Sequence, residues 1–192
     1  MTKNNFDKNY YYGKVYKNYD NFMDHKRYAK DLVDKYNFKS FLDIGCGCGN
    51  LVKEIKMILE NRDKKECKVY GIDISKFAVK KANVPYVQVA DCVNIDFPDD
   101  SFDFVHILGT FSYLEKKYIP EAIKEVSRIS SHCILFDDVY SVITKEHSDF
   151  DQYRKVILSQ DEWLRLWSQK ELPFKRIKIN GDEIIIKKCV KY

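Results

Sequence analysis

A three-layer α/β fold, doubly wound around a mostly parallel seven-stranded sheet with an antiparallel C-terminal edge hairpin, is the architecture this sequence predicts. Three observations carry it. From Phe41 onward, short apolar runs alternate with segments of helical period; the first run leads into Gly45-Cys46-Gly47-Cys48-Gly49; and the last two runs flank Asn180-Gly181. Strands alternating with helices require right-handed crossovers, hence a parallel sheet covered on both faces. Asn-Gly between two strand-like runs is the strongest short-range hairpin signal, which makes the final pair antiparallel.

The elements follow in order. A helix is expected from about Asn21 to Tyr36, then the strand Phe41 to Ile44. Beyond the glycines, Leu51, Val52, Ile55, Ile58 and Leu59 recur at helical spacing. Val69 to Ile72 reads as the second strand, and Ser75 is a good N-cap for the helix after it. Tyr86 to Val89 is the third strand, and a loop through Phe97-Pro98-Asp99-Asp100 leads to the fourth, Phe102 to Leu108. Pro120 suits a first helical turn, and Ile119, Ile123, Val126 and Ile129 form the buried stripe of that helix. Cys133 to Phe136 is the fifth strand, and Ser159-Gln160-Asp161-Glu162 is a capping box opening the last helix.

Composition limits the function. The chain has 192 residues, enough for one full-sized core, and 45% of them are hydrophobic, which excludes disorder as the default. Its 33 basic and 29 acidic residues nearly balance, and the lysine pairs are short and scattered, so a nucleic-acid partner is possible but not favoured. Met1 to Asp7 is polar, no run is long enough to cross a bilayer, and the six cysteines form no C-x-x-C pair. The expectation is a cytoplasmic protein with free thiols and no metal site.

Asp43-Ile44-Gly45-Cys46-Gly47-Cys48-Gly49 carries the chemistry. Alternate glycines let the backbone turn sharply and approach a ligand closely, with a helix N-terminus beyond. Asp73 ends the second strand, where a carboxylate accepts both hydroxyl hydrogens of a ribose. Asp91 follows the third, placed to accept from an adenine amino group, with the Cys92 N–H available to a ring nitrogen. In a parallel sheet these strand ends share one crevice. Dinucleotide binding is the rival reading, but the third glycine comes too early for G-x-G-x-x-G and Asn50 stands where the motif continues.

With these motifs in order, the sequence resembles the class I S-adenosylmethionine-dependent methyltransferases. The matching stretches are the glycine loop, Gly71-Ile72-Asp73-Ile74-Ser75, Ala90-Asp91-Cys92, Phe97 to Asp103 and the edge hairpin. The resemblance covers residues 38–192, making that stretch the cofactor-binding domain and residues 1–37 a tyrosine-rich helical lid segment. It implies that Gly45, Gly47 and Gly49 pass beside the methionine portion of S-adenosylmethionine, whose amino group Asp43 faces directly or through water. It also implies that Asp73 holds the ribose, Asp91 and Cys92 the adenine, and Leu108 the cofactor's edge, with Ile74 a further cofactor contact. Tyr19, of the pair Tyr19-Asp20, is a further candidate, for the methionine carboxylate.

For catalysis the candidates are Asp137 and Asp138 after the fifth strand, of which at most one can face the methyl donor because directions alternate along an extended chain. The stretch Ile107-Leu108-Gly109-Thr110-Phe111-Ser112-Tyr113 lacks the Asn-Pro-Pro-Tyr run of enzymes that methylate amide or exocyclic nitrogens. Near-neutral charge, a compact core and an aromatic lid make an O or N nucleophile of a small molecule, such as a sugar or metabolite, the expected acceptor. RNA or protein methylation, and a non-catalytic cofactor-binding subunit, are the alternatives. A second lid is expected over Val139 to Ile157, with Tyr140, Phe150 and Tyr153.

Overall fold

The computed structural model describes residues 6–13, 15–138, 151–169, 172, 174–180 and 183–188. Two compact units divide at Asp91 and Cys92.

In the first unit, α1 (Lys8–Tyr12) begins on the Asp7 carboxylate, which accepts from Asn9 and Tyr10 N–H. A 3₁₀ turn (Tyr19–Asn21) is capped by Asn18, and α2 (His25–Lys35) by Asp24, which accepts from Arg27 N at 3.0 Å. Two caps six residues apart explain why α2 starts at His25 rather than near Asn21, as the pattern suggested. β1 (Ser40–Ile44), β2 (Lys68–Asp73) and β3 (Val87–Val89) pair in parallel, Ile44 opposite Ile72 and Asp73 opposite Val89. α3 (Asn50–Asn61) buries Leu51, Val52, Ile55 and Leu59, the expected stripe. α4 (Lys76–Ala82) starts on Ser75, whose hydroxyl accepts from Ala78 N at 3.0 Å, and ends on Asn83 in the left-handed region.

In the second unit, β4 (Phe102–Leu108) pairs in parallel with β5 (Ser130–Asp137), Leu108 opposite Asp137. β6 (Phe174–Asn180) and β7 (Glu183–Lys188) form the expected antiparallel pair, and β7 runs antiparallel to β5. The Asn180-Gly181 turn itself falls partly outside the described residues. α5 (Ile119–Ile129) buries its isoleucine stripe, and α6 (Gln160–Trp167) opens on the complete Ser159–Glu162 capping box. Trp163 and Trp167 pack with Phe136 and Phe111, all four fully buried. The strands run in the order β3-β2-β1 in the first unit and β4-β5-β7-β6 in the second, mostly parallel with the predicted antiparallel edge.

Arg128, near the end of α5, holds the loop before β4. Its guanidinium donates to the carbonyls of Ile95 and Phe97, both at 2.8 Å, and pairs with Glu125 at 2.9 Å. Glu125 in turn accepts from Ile95 N at 3.0 Å. Arg128→Ala is expected to cost about 2 kcal/mol, since two charge-assisted bonds to carbonyls are lost while the pair with exposed Asp99 adds little. That corresponds to a melting temperature lower by about 4–8 °C for a domain of this size, measurable in a thermal melt.

Candidate functional site

The first unit gathers most of the predicted cofactor residues at the C-terminal end of its strands. Gly45, Gly47 and Gly49 adopt φ of 76°, 55° and 71°. That region costs a residue with a Cβ roughly 1–2 kcal/mol, which is why the loop is glycine at alternate positions. Gly45 N and Cys46 N both donate to Ile72 O, at 2.8 and 3.0 Å, fastening the loop to β2.

Asp73 stands at the centre. It is 7% exposed, and its carboxylate accepts from Gly47 N at 2.8 Å and Ser75 N at 2.7 Å. Each oxygen thus engages one backbone donor and keeps acceptor capacity for another. Burial pushes its pKa up to about 6, against the two N–H groups that pull it down. Asp43, on β1 opposite Gly71, is buried; Ile74 and Asp91 are half-buried, and Ala90 N donates to Asp73 O at 3.0 Å, tying the exit of β3 to the end of β2.

Tyr19 does reach this loop. A Cβ on Gly47 would lie 2.7 Å from Tyr19 Cζ, so the ring sits directly on the glycine. Tyr11 packs its edge on Tyr19 at 4.7 Å and stacks on Phe77 at 5.9 Å; burial, and then the Asp73 charge, hold its hydroxyl far above the usual phenol range. Tyr12 Oη donates to Asp20 Oδ2 at 2.9 Å and contacts Cys48 Sγ at 3.7 Å, and Ser75 Oγ donates to Phe6 O at 2.5 Å. These contacts were not readable in advance, because nothing in a run of seven tyrosines separates those that turn inward from those that do not.

Cys92, Leu108, Asp137 and Asp138 belong to the second unit. Cys92 is buried, and Leu108 is half-buried at the end of β4. The two aspartates differ as an extended chain requires: Asp137 is half-buried, whereas Asp138 is 2% exposed. Asp138 Oδ2 accepts from Ser112 N at 3.0 Å, while Oδ1 is buried with no hydrogen-bond partner among the described residues. Burial raises its pKa to about 6, and the Ser112 donors and Arg154 pull the other way. Arg154 Nη1 donates to Ser112 Oγ at 3.0 Å, over the Tyr113 ring, and Tyr113 Oη donates to Asp151 at 2.6 Å. Ser112, Asp151 and Arg154 were missed, being polar residues in irregular segments with no motif around them. Of the second expected lid, Tyr153 is half-buried, while Tyr140 and Phe150 lie outside the described residues.

Residues 41–132 match the family model described as a methyltransferase domain. The matched segment takes in the glycine loop, Asp73, Asp91 and Cys92 and amounts to just under half of the chain. In sequence, the chain is 33% identical over 101 residues to phosphoethanolamine N-methyltransferase 1 of Arabidopsis thaliana, matching 46% of this chain but only 19% of that protein. The chain therefore spans about a fifth of that relative's length. In fold, it superposes on a SAM-dependent methyltransferase from Archaeoglobus fulgidus with a TM-score of 0.66 at 16% identity, covering 86% of this chain and 95% of the other. A Methanococcus maripaludis protein assigned to the same class gives 0.67 at 19% identity, covering 100% and 98%. The donor set of the first unit fits S-adenosylmethionine, the cofactor that the resemblance implies: left-handed glycines for close approach, and an Asp73 carboxylate with acceptor capacity in reserve. No helix among the described residues is long and apolar enough to cross a membrane.

The raised pKa of Asp138 has a sign that can be checked. A carboxylate near 6 when folded and about 3.9 when unfolded binds more protons in the folded state between those values. Stability from this group is therefore fully present below about pH 4 and is lost as pH rises through 6, by on the order of 3 kcal/mol. Asp138→Asn, neutral throughout, escapes that loss. Its melting temperature is expected to rise relative to wild type between pH 5 and pH 7.5, by calorimetry. Parallel curves would mean that Asp138 is an ordinary carboxylate.

Proposed function

We propose that the chain methylates a nitrogen of a small-molecule amine, with S-adenosylmethionine bound against the glycine loop and Asp73 and with Asp138 as proton acceptor. The cofactor supplies a methyl group already activated by its sulfonium. The protein is left with holding the nucleophile in line, excluding water and removing a proton. Orientation of that kind is worth on the order of 7–11 kcal/mol of barrier.

An ammonium acceptor has no lone pair until it loses a proton. The observation that carries the reading is Asp138, a buried carboxylate pushed up to about 6 whose Oδ1 has no donor among the described residues. Such a group is a stronger base than an exposed aspartate and has an oxygen left to take the proton. Asp43, Gly45, Gly47, Gly49, Ile74, Asp91, Cys92 and Leu108 keep the cofactor contacts that the resemblance implies. The choice of an amine is supported by the Arabidopsis relative, whose name gives phosphoethanolamine as the compound methylated at nitrogen. The test is transfer from a labelled methyl donor to separate panels of small amines, hydroxyl compounds, RNA and protein. Label in small amines alone is expected; label only in macromolecules would overturn the reading.

A further inference from the structure

We infer that the aromatic segment carrying Tyr11, Tyr12 and Tyr19 is a built-in competitor for the cofactor cradle, occupying it in the ligand-free chain and leaving when cofactor binds. The inference rests on the glycine loop and Asp73 being the cofactor site, and it replaces the expectation that Tyr19 holds the methionine carboxylate.

Two groups that a ligand must touch are covered by the protein itself. The Tyr19 ring lies against Gly47, where the glycine leaves room for close approach. Asp73 is 7% exposed, although its carboxylate retains acceptor capacity on both oxygens. Tyr11, 3% exposed, lies close enough to Asp73 to feel its charge and to Tyr19 to pack edge-on. Close packing admits one occupant, so a ribose on Asp73 and a thioether chain along Gly47 exclude these rings from their present positions.

The segment is held mainly from outside the cradle. Phe77 of α4 stacks on Tyr11 and meets Tyr12 edge-on at 6.2 Å. Tyr12 bonds Asp20 and contacts Cys48, and Phe6 O accepts from Ser75 Oγ. These are ring contacts and single hydrogen bonds, each worth a small factor, so the closed state is reversible rather than locked. Apparent cofactor affinity is then the intrinsic affinity multiplied by the open fraction, and weakening an outer tie raises that fraction. Phe77 and the Tyr12 hydroxyl are the ties that can be cut without touching the glycines, Asp73 or Tyr19.

The experiment is stopped-flow binding of S-adenosylhomocysteine to the full chain, with amide hydrogen exchange of residues 8–13 in its absence and presence. For wild type, the observed rate is expected to level off at high ligand, because opening limits it. Phe77→Ala, which removes two ring pairs, should raise that plateau and tighten binding by roughly 5- to 150-fold, and Tyr12→Phe, which removes one hydrogen bond, by roughly 2- to 12-fold. Saturating ligand should speed exchange at residues 8–13. Rates linear in ligand and equal in all three proteins would overturn the competitor while leaving the cofactor site standing. Slower exchange on binding would also overturn it, making the segment a clasp that closes over the cofactor. No binding by any of the three, each shown folded by its melt, would remove the cradle as cofactor site and the competitor with it.

Discussion

Asp73→Ala is expected to weaken S-adenosylhomocysteine binding by roughly 10²- to 10⁴-fold, the equivalent of two hydrogen bonds from ribose hydroxyls to a charged acceptor at about 1.5–3 kcal/mol each. The size follows from the carboxylate's position. It ends β2, is fixed by Gly47 and Ser75 N–H, and is already desolvated, so its remaining acceptor capacity is aimed before ligand arrives. The substitution strands two backbone donors but also removes a carboxylate whose ionised form is costly when buried, so the fold should survive. Titration calorimetry on a variant with a cooperative melt measures the effect. Wild-type affinity would mean that Asp73 only orders the loop and that the ribose is held elsewhere. NADH binding tighter than S-adenosylhomocysteine would displace the cofactor assignment as a whole.

Asp138→Asn should lower turnover roughly 10²- to 10⁴-fold, the usual range for a lost general base, with cofactor affinity unchanged. Asp137→Asn should be nearly silent. The two residues adjoin at the end of β5, yet Asp137 is half-buried whereas Asp138 is buried, with its carboxylate raised to about 6. Asn keeps an acceptor for Ser112 N, so the turn after β4 is retained while the proton acceptor is lost. The pH profile separates this from a positional effect: the wild-type acid limb near pH 6 should be absent from the residual activity of the variant. Full turnover in both variants would show that Asp138 is not the base.

Much of the site was legible because it depends on local chain geometry. Glycines at 45, 47 and 49 announce left-handed backbone, and Asp73 and Asp91 announce strand ends, whatever surrounds them. The loop's attachment to Asp73 was not legible, since a hydrogen bond between residues 26 apart leaves no local trace. The same holds for Ser112, bonded across 26 residues to Asp138 and across 42 to Arg154.

By itself, the sequence determined the alternation of strands and helices, the parallel sheet with its antiparallel edge and the caps at Ser75 and Ser159. Each of these is set by periodicity, by backbone freedom or by hydrogen bonds spanning a few residues. Only the tertiary structure decided which of two adjacent aspartates is buried, which tyrosines turn inward and that Tyr19 rests on Gly47. Those outcomes depend on desolvation and packing between segments distant in the chain, where many arrangements satisfy the same local pattern and only close packing selects one.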